Sequence, residues 1–258
     1  MLVLHHGDTS TASAKVRLAL SEKKLAYESR LYVLRRGEHK TPDYLAINPA
    51  GVVPTLVHDG TAIRESNVIL EYLEDAFPEP PLLSASPHDR AHTRLLMRET
   101  DALHEAGSIL SSAVKLAGMG ANASAALDRI ADPRKRERQM QLVQLGFEAP
   151  DIPHAIARYR EAVEAAAIAL QGSAFLSGAD IGLADCAMLP YVHRADRLGL
   201  AQLWADAPDV AGWFERMRNR PSYDEAVLRF ENASPYAPSP ELIAAVRRFL
   251  HERAPGKS

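Results

Sequence analysis

An acid followed by a hydroxyl residue, Glu65-Ser66, stands at the predicted start of a helix and offers the clearest chemistry in the chain. A strand is predicted at residues 55–57, and an Asp59-Gly60 turn leads through a second short strand to this helix. The N–H groups of a first helical turn have no partner within the helix, and the helix dipole is positive there, so this point favours a carboxylate. The Glu65 carboxylate favours an ammonium group. The pair therefore predicts a site for a ligand that carries both groups on one carbon.

A second candidate element is the Val53-Pro54 step, whose proline lies eleven residues before Glu65. If this bond is cis, the turn presents the N–H and C=O of Val53 sideways, where a peptide backbone can pair with them as with a strand edge. An ordinary trans proline that begins a strand is the alternative.

The γ-glutamyl end of glutathione carries an ammonium and a carboxylate on one carbon, and the two elements in this order resemble the glutathione-binding half of the cytosolic glutathione S-transferase superfamily. The resemblance implies that Val53 holds the cysteinyl residue of glutathione and that Glu65 and Ser66 hold its γ-glutamyl end. It also implies that His39 or Lys40, which precede the helix leading to the proline step, contacts the glycyl carboxylate. A solvated surface pair is the alternative for these two residues.

The run STASAKVRLAL lies in a hydroxyl-rich loop and the helix after it, and resembles the serine-type branches of the superfamily: zeta- and theta-like enzymes, bacterial β-etherases and dehalogenase-like enzymes. In the zeta-like alignment Ser10 falls on the catalytic serine, and in other branches Ser13 is the alternative; we prefer Ser10. A hydroxyl that donates to sulfur at a helix start favours the thiolate, although either serine also suits a plain N-cap role. Some relatives carry a cysteine near Ala12, so thiol exchange on the enzyme itself is not expected. The single cysteine, Cys186, is predicted to be a buried core residue.

A proline-rich segment marks a domain boundary near residue 80. Residues 1–79 read as two βα units, with the second strand predicted at 26–34, followed by a hairpin and a helix, which predicts a thioredoxin-like, glutathione-binding domain. Residues 80–88 are the predicted linker. Residues 89–258 read as all-helical, with an extended connection at about 118–152 and a last helix predicted at about 238–252. The resemblance implies that this domain forms the electrophile pocket. The fold class is therefore α/β plus all-α, and Asp185, three residues after Gly182, is expected to start a central buried helix through half of a capping box.

Composition limits the partners. With 258 residues and a net charge of −3, the chain has no general attraction for nucleic acid, and no apolar run is long enough to predict a membrane span. One cysteine and no signal-peptide pattern predict a reducing, cytoplasmic compartment. No metal site is expected, because His5 and His6 should point to opposite faces of a strand. The family implies a homodimer, with residues 60–72 and 89–116 as its surface.

The resemblance implies a glutathione S-transferase, a transferase of alkyl or aryl groups used in detoxification, with glutathione as cosubstrate. Its thiolate would attack an electrophilic carbon of an apolar small molecule. Two alternatives stay open: glutathione-dependent aryl-ether cleavage or isomerisation, and a non-catalytic glutathione-binding carrier or interaction protein. Met97, Arg98, Asp101 and His104 are expected to line the electrophile pocket, but their mixed polarity does not identify a substrate.

Overall fold

Four short strands form one mixed sheet in the first part of the chain. The computed structural model describes residues 1–127, 130, 132–231 and 240–252. The strands are β1 (Leu2–Gly7), β2 (Glu28–Tyr32), β3 (Thr55–His58) and β4 (Thr61–Arg64), in the order β2-β1-β3-β4. Strand β1 pairs in parallel with β2 and antiparallel with β3, and β3 and β4 form a hairpin. The predicted thioredoxin-like topology is confirmed.

Three helices accompany the sheet: α1 (Thr11–Glu22), α2 (Pro42–Ile47) and α3 (Ser66–Ala76). Two 3₁₀ turns, Leu34–Arg36 and Glu38–Lys40, precede α2. Helix α2 begins with a proline, a residue whose fixed φ suits a first helical position and whose missing N–H costs nothing there. Helix α1 is almost entirely buried because it packs against α3 and against helices of the second part of the chain.

The second part of the described chain is helical, as predicted. Its helices are α4 (Pro87–Met119), α5 (Ala123–Leu127), α6 (Pro133–Leu145), α7 (Asp151–Ala169), α8 (Leu183–Arg197), α9 (Pro208–Arg218), α10 (Pro221–Tyr223), α11 (Arg229–Glu231) and α12 (Pro240–Glu252), with a π-helical turn, Asp224–Leu228, between α10 and α11. Helices α5 and α6 lie within the predicted connection at 118–152. None of the described helices combines the length and apolarity that crossing a membrane requires.

The buried helix α8 begins where the sequence predicts. The N–H of Gly182 donates to Asp185 at 2.9 Å, and glycine has no side chain to return the bond, so the expected half of a capping box is confirmed. Asp185 also accepts from the Leu176 N–H and the Trp213 indole N–H, both at 2.8 Å. Close packing requires glycine at position 182, because a Cβ there would lie 2.5 Å from the carbonyl oxygen of Leu82.

That same Leu82 belongs to the segment between α3 and α4, which is held on both sides. The Glu74 carboxylate accepts the N–H groups of Leu82 and Leu83 at 3.0–3.1 Å and pairs with the Lys23 ammonium at 2.6 Å. On the other side, the Leu183 N–H donates to the Leu82 carbonyl at 2.9 Å. The segment is therefore bonded to the sheet-containing part and to α8 at once.

Helix α1 makes further polar contacts between the two parts. The Arg17 guanidinium donates to the Ala226 carbonyl at 2.7 Å, and its carbon lies 4.1 Å from the centre of the Phe230 ring. At the end of α1, Glu22 forms a two-bond ion pair with Arg220 at 2.7 and 2.8 Å. These contacts fix α1, the helix that Ser10 caps, against the helical part.

Candidate functional site

The register of the sheet brings the three predicted motifs to one edge. Strand β1 ends at Gly7, just before the loop that carries Ser10. His5 pairs with Thr55 and Thr55 pairs with Arg64, so β3 begins, and β4 ends, beside the end of β1. The loop of Ser10, the Val53-Pro54 step and the Glu65-Ser66 pair therefore follow at the same edge.

The Val53-Pro54 bond is cis, the geometry on which the sequence interpretation depended. The carbonyl of the preceding Val52 is already occupied, because the Tyr44 hydroxyl and the Asn48 amide (2.8 Å) both donate to it. The backbone of Val53 makes no such bond within the described ranges. Its N–H and C=O are thus free to pair with a peptide backbone, the contact proposed for the cysteinyl residue of glutathione.

Glu65 adopts a backbone conformation that L-residues rarely use, with φ 66°. A non-glycine residue at positive φ costs roughly 1–3 kcal/mol, so such a position suggests a functional constraint. Glu65 is exposed, occupies the N-cap of α3 and does not cap that helix with its side chain. The N–H groups of the first turn therefore remain open to an anion, and the carboxylate remains open to a cation.

His39 and Lys40 lie in the 3₁₀ turn before α2. The Lys40 ammonium is 3.4 Å from the Ala50 carbonyl, and a Cβ on Gly51 would meet it at 2.9 Å. Lys40 is exposed and His39 is half-buried. The structure thus brings Lys40 beside the loop that leads to Pro54, and a contact of either residue with a glycyl carboxylate stays a prediction.

The two candidate serines have different environments. Ser10 is half-exposed and caps α1, with its oxygen accepting the Ser13 N–H at 3.1 Å. The cap uses a lone pair and leaves the hydroxyl proton of Ser10 to donate. Ser13 has no exposed surface, and its oxygen accepts the Gly7 N–H at 3.1 Å. Of the two hydroxyls, only that of Ser10 is accessible to a ligand.

The loop of Ser10 is held by residues that the sequence interpretation missed. The buried Asp8 carboxylate accepts the N–H groups of Thr9 at 2.9 Å and Leu34 at 3.3 Å. From α8, the Arg194 guanidinium donates to the Thr9 carbonyl at 2.7 Å. The Gly7-Asp8 pair at the end of β1 could have indicated the role of Asp8 in this loop. Arg194 is distant in sequence, and no nearby pattern indicates its contact with the loop.

A buried lysine on α1, Lys15, reaches α4. Lys15 is 1% exposed and donates to the Thr100 hydroxyl at 2.9 Å. Burial lowers the pKa of Lys15 to about 8, against the opposing effect of Asp101 and Glu65. Asp101, an expected pocket residue, is exposed and accepts the Asn67 amide at 3.1 Å.

The sequence placed Met97 of α4 in the pocket and Cys186 of α8 in the core. Met97 was expected on the pocket wall, but it is 3% exposed and packs in the core. Cys186 is a free, buried thiol as predicted, and burial raises its pKa well above the usual value.

The adjacent histidines of β1 have separate partners. His5 lies 2.9 Å from the Tyr32 hydroxyl, and His6 lies 2.7 Å from the Ser29 hydroxyl. Burial, together with the Arg17 charge, lowers the pKa of His6 to about 3. In the part of the chain that the structure describes, no group of three or more His, Cys, Asp or Glu side chains is arranged to hold a metal.

The fold and the site together define a two-domain protein with a thioredoxin-like half and a helical half. Family models described as the N-terminal and C-terminal domains of glutathione S-transferase match residues 4–81 and 123–216. The maleylacetoacetate isomerase of Pseudomonas aeruginosa is 36% identical over 74% of this chain and 80% of its own length. The zeta-class glutathione S-transferase of Euphorbia esula is 33% identical over 72% of each chain.

Among solved structures, the β-etherase LigF from Sphingobium sp. strain SYK-6 has a TM-score of 0.73, covers 88% of this chain and 99% of its own, and is 24% identical. That likeness shows the fold. The chain belongs to the glutathione S-transferase family. The family and fold predicted from the sequence are confirmed, and glutathione transferase activity is the function that these relatives support.

Proposed function

We propose that the protein binds reduced glutathione at the sheet edge described above and uses the Ser10 hydroxyl to stabilise its thiolate. Val53 pairs with the cysteinyl backbone, the start of α3 receives the γ-glutamyl carboxylate, and Glu65 pairs with the ammonium. His39 or Lys40 contacts the glycyl carboxylate. The observation that carries the proposal is the accessible hydroxyl of Ser10 at the same edge as the open backbone of Val53 and the uncapped start of α3.

In the reaction, the glutathione thiol loses its proton to solvent, and the Ser10 O–H donates to the resulting thiolate. The thiolate then attacks an electrophilic carbon of a mainly apolar small molecule. A sulfur–carbon bond forms, and the leaving group departs with its electron pair. The protein raises the rate by lowering the thiol pKa and by holding both reactants close.

Isomerisation of an activated double bond is the second candidate. The relative from Pseudomonas aeruginosa, at 36% identity, is named a maleylacetoacetate isomerase. Here the same thiolate adds to the double bond, rotation follows, and the sulfur–carbon bond then breaks to release glutathione. Both candidates depend on Ser10, so they are separated by the substrate and not by the thiol site.

The decisive experiment is titration calorimetry with reduced glutathione, combined with ultraviolet absorbance of the thiolate on the same complex. A bound thiol whose pKa falls below the ordinary cysteine value of about 8.5 supports the transferase. Binding without thiolate formation supports a non-catalytic carrier. In either role, the proposed location is a reducing compartment such as the cytoplasm. Absence of binding contradicts the site built on Glu65 and Ser66.

The functional unit is proposed to be a homodimer that meets through α3 and α4. Val68 on α3 and Leu95 on α4 are large apolar side chains that are 54% and 62% exposed, and both lie in the surface expected from the sequence. We expect Leu95→Glu to shift the protein to the monomer in size-exclusion chromatography with light scattering. Ile168→Glu is the matched control, because Ile168 on α7 is 64% exposed outside that surface. A monomeric wild-type protein would contradict the proposal.

A further inference from the structure

Arg194 on α8 reaches across to the loop that carries Ser10. Its guanidinium Nη2 donates to the Thr9 carbonyl oxygen at 2.7 Å, and both residues are half-buried. Helix α1 does not use this carbonyl, because its first bond runs from the Ala14 N–H to the carbonyl of Ser10. Arg194 and Ser10 also line one small cleft. The helical part of the chain therefore bonds the proposed thiol site at a backbone atom directly before Ser10.

The bonded carbonyl belongs to the same peptide group as the Ser10 N–H. A peptide group is planar, so a bond that holds the Thr9 carbonyl also restrains the direction of the Ser10 N–H. The Thr9 N–H is held as well, because it donates to the Asp8 carboxylate at 2.9 Å. The Ser10 side-chain oxygen accepts the Ser13 N–H at 3.1 Å. Ser10 is thus restrained through its backbone and through its oxygen, and its hydroxyl proton is left to donate.

The end of α8 that carries Arg194 is itself anchored. The neighbouring His193 is buried, with Nδ1 2.7 Å from the Tyr223 hydroxyl and Nε2 2.9 Å from the Glu231 carboxylate. Arg197 approaches the same carboxylate at 3.5 Å. Helix α8 also packs against α1. The guanidinium is therefore presented to the loop of Ser10 from an element that is held in place.

We propose that Arg194 is a positioning residue that holds the Thr9–Ser10 peptide and so aims the Ser10 hydroxyl at the glutathione sulfur. The inference rests on the proposed function, since it concerns the same thiol. A hydroxyl stabilises a thiolate only within a limited range of distance and angle, and a donor that is already aimed needs no reorganisation when the charge forms. Without the bond, the peptide can turn, and the Ser10 backbone turns with it. Arg194 thus acts through Ser10 and makes no contact with the sulfur.

The charge of Arg194 offers a different explanation for any effect on the thiol. A positive charge near a thiol favours the thiolate directly, whether or not a hydroxyl donates to the sulfur. The two explanations differ in how they depend on Ser10. If Arg194 acts through the Ser10 hydroxyl, its loss has no effect once that hydroxyl is absent, whereas a direct effect of charge persists.

The test is a double-mutant cycle on Arg194 and Ser10 in the full-length protein, with the pKa of the bound glutathione thiol measured by ultraviolet absorbance. Arg194→Met should raise that pKa by about half a unit to one unit, because one net hydrogen bond to a charged group has about this effect. In the Ser10→Ala background, Arg194→Met should cause no further rise. Arg216→Met is the matched control, because Arg216 on α9 also donates to a loop carbonyl, that of Ala174 at 2.8 Å. It should leave the thiol pKa unchanged.

Titration calorimetry with S-methylglutathione, which has no thiol, measures the remainder of the binding site. Arg194→Met should leave this affinity within about twofold, because the backbone of Val53 and the start of α3 do not depend on Arg194. Arg194→Gln is too short to reach the Thr9 carbonyl and gives a second measurement if Arg194→Met folds poorly.

The outcomes separate the inference from the proposed function. A wild-type thiol pKa that is lowered, and that stays lowered in the Arg194 variants, overturns the inference and leaves the function standing. A rise that persists in the Ser10→Ala background assigns the effect to charge and overturns the inference. A rise that is matched by Arg216→Met, or that comes with an equal loss of S-methylglutathione affinity, assigns the effect to general loosening and overturns it as well. A wild-type thiol pKa that is not lowered overturns both.

Discussion

Ser10 and Ser13 stand one helical turn apart, yet only Ser10 has a hydroxyl that a ligand can reach. We predict that Ser10→Ala raises the pKa of bound glutathione and lowers kcat/KM about 10- to 100-fold, with a loss of about 1 kcal/mol of stability from the missing cap. Ser13→Ala should lower stability by about 1–3 kcal/mol, because the buried Gly7 N–H loses its acceptor, and should leave the thiol pKa unchanged. The reverse pattern would show that the alignment through Ser13 is correct.

Glu65 is predicted to act on the γ-glutamyl ammonium and not on the sulfur. Glu65→Gln should weaken glutathione binding about 10- to 100-fold in titration calorimetry, the effect of one hydrogen bond between charged groups. Glu65→Gly should weaken binding to a similar extent while raising the melting temperature, because glycine adopts positive φ freely. Retained affinity in either variant would contradict the site.

Among individual residues, the sequence predicted those site residues whose position is determined by neighbouring residues in the chain. Glu65-Ser66 could be read because a hairpin and a helix start are encoded by neighbouring residues. Arg194 could not be predicted, because it acts through a bond to the loop of Ser10 that forms only when α8 packs on α1. Met97 was misplaced because the rotation of α4 against its neighbours decides which side chains face the core.

Among the elements, the start of α8 depends on close approach of two backbones. We predict that Gly182→Ala lowers the free energy of unfolding by about 1–3 kcal/mol, since the new Cβ would lie 2.5 Å from the Leu82 carbonyl oxygen. Gly212→Ala on α9 is the matched control, because its Cβ would meet only Arg216 at 3.4 Å. That control should gain about 0.5–1 kcal/mol from helix propensity. Urea unfolding measures the free energy of unfolding of both variants. An equal change in that free energy in both would contradict the packing explanation.

Element order could be predicted from sequence, whereas several element ends could not. The predicted strand at 26–34 is shorter in the structure, where β2 gives way to a 3₁₀ turn at Leu34. Helix α1 ends at Glu22, before the apolar residue Leu25, and Lys24 adopts positive φ just beyond the helix end. Tertiary bonds from Lys23 to the Phe77 and Pro80 carbonyls accompany that early end. The predicted helix at 238–252 begins outside the described residues, and the structure describes it from Pro240.

For the whole molecule, the Glu22 ion pair ties α1 to the helical part. Burial would raise the pKa of Glu22, but hydrogen bonds from Arg220 and Ser222 outweigh it and lower the pKa. A lowered folded pKa means that the stabilisation is present above the unfolded value of about 4.5 and is lost as pH falls through the folded value. We predict that Glu22→Gln lowers the free energy of unfolding by about 1–3 kcal/mol at pH 7 and that the difference narrows below pH 4.5.

Denaturant unfolding of both proteins between pH 7 and 3 measures this difference. Glu164→Gln, an exposed position on α7, is the control and should leave stability within about 0.5 kcal/mol at every pH. A difference that stays constant as the pH falls would assign the role of Glu22 to packing instead of charge.

The double attachment of Leu82 has a consequence for recombining this chain with its relatives. Leu82 is bonded to Glu74 on one side and to Leu183 on the other, and it leaves no room for a side chain at position 182. A chimera whose crossover falls in the segment between α3 and α4 therefore mixes parents within a single set of mutually dependent residues. Exchange of the helical half should preserve these contacts when positions 74 and 182 come from the same parent, because Leu82 contributes backbone groups to them.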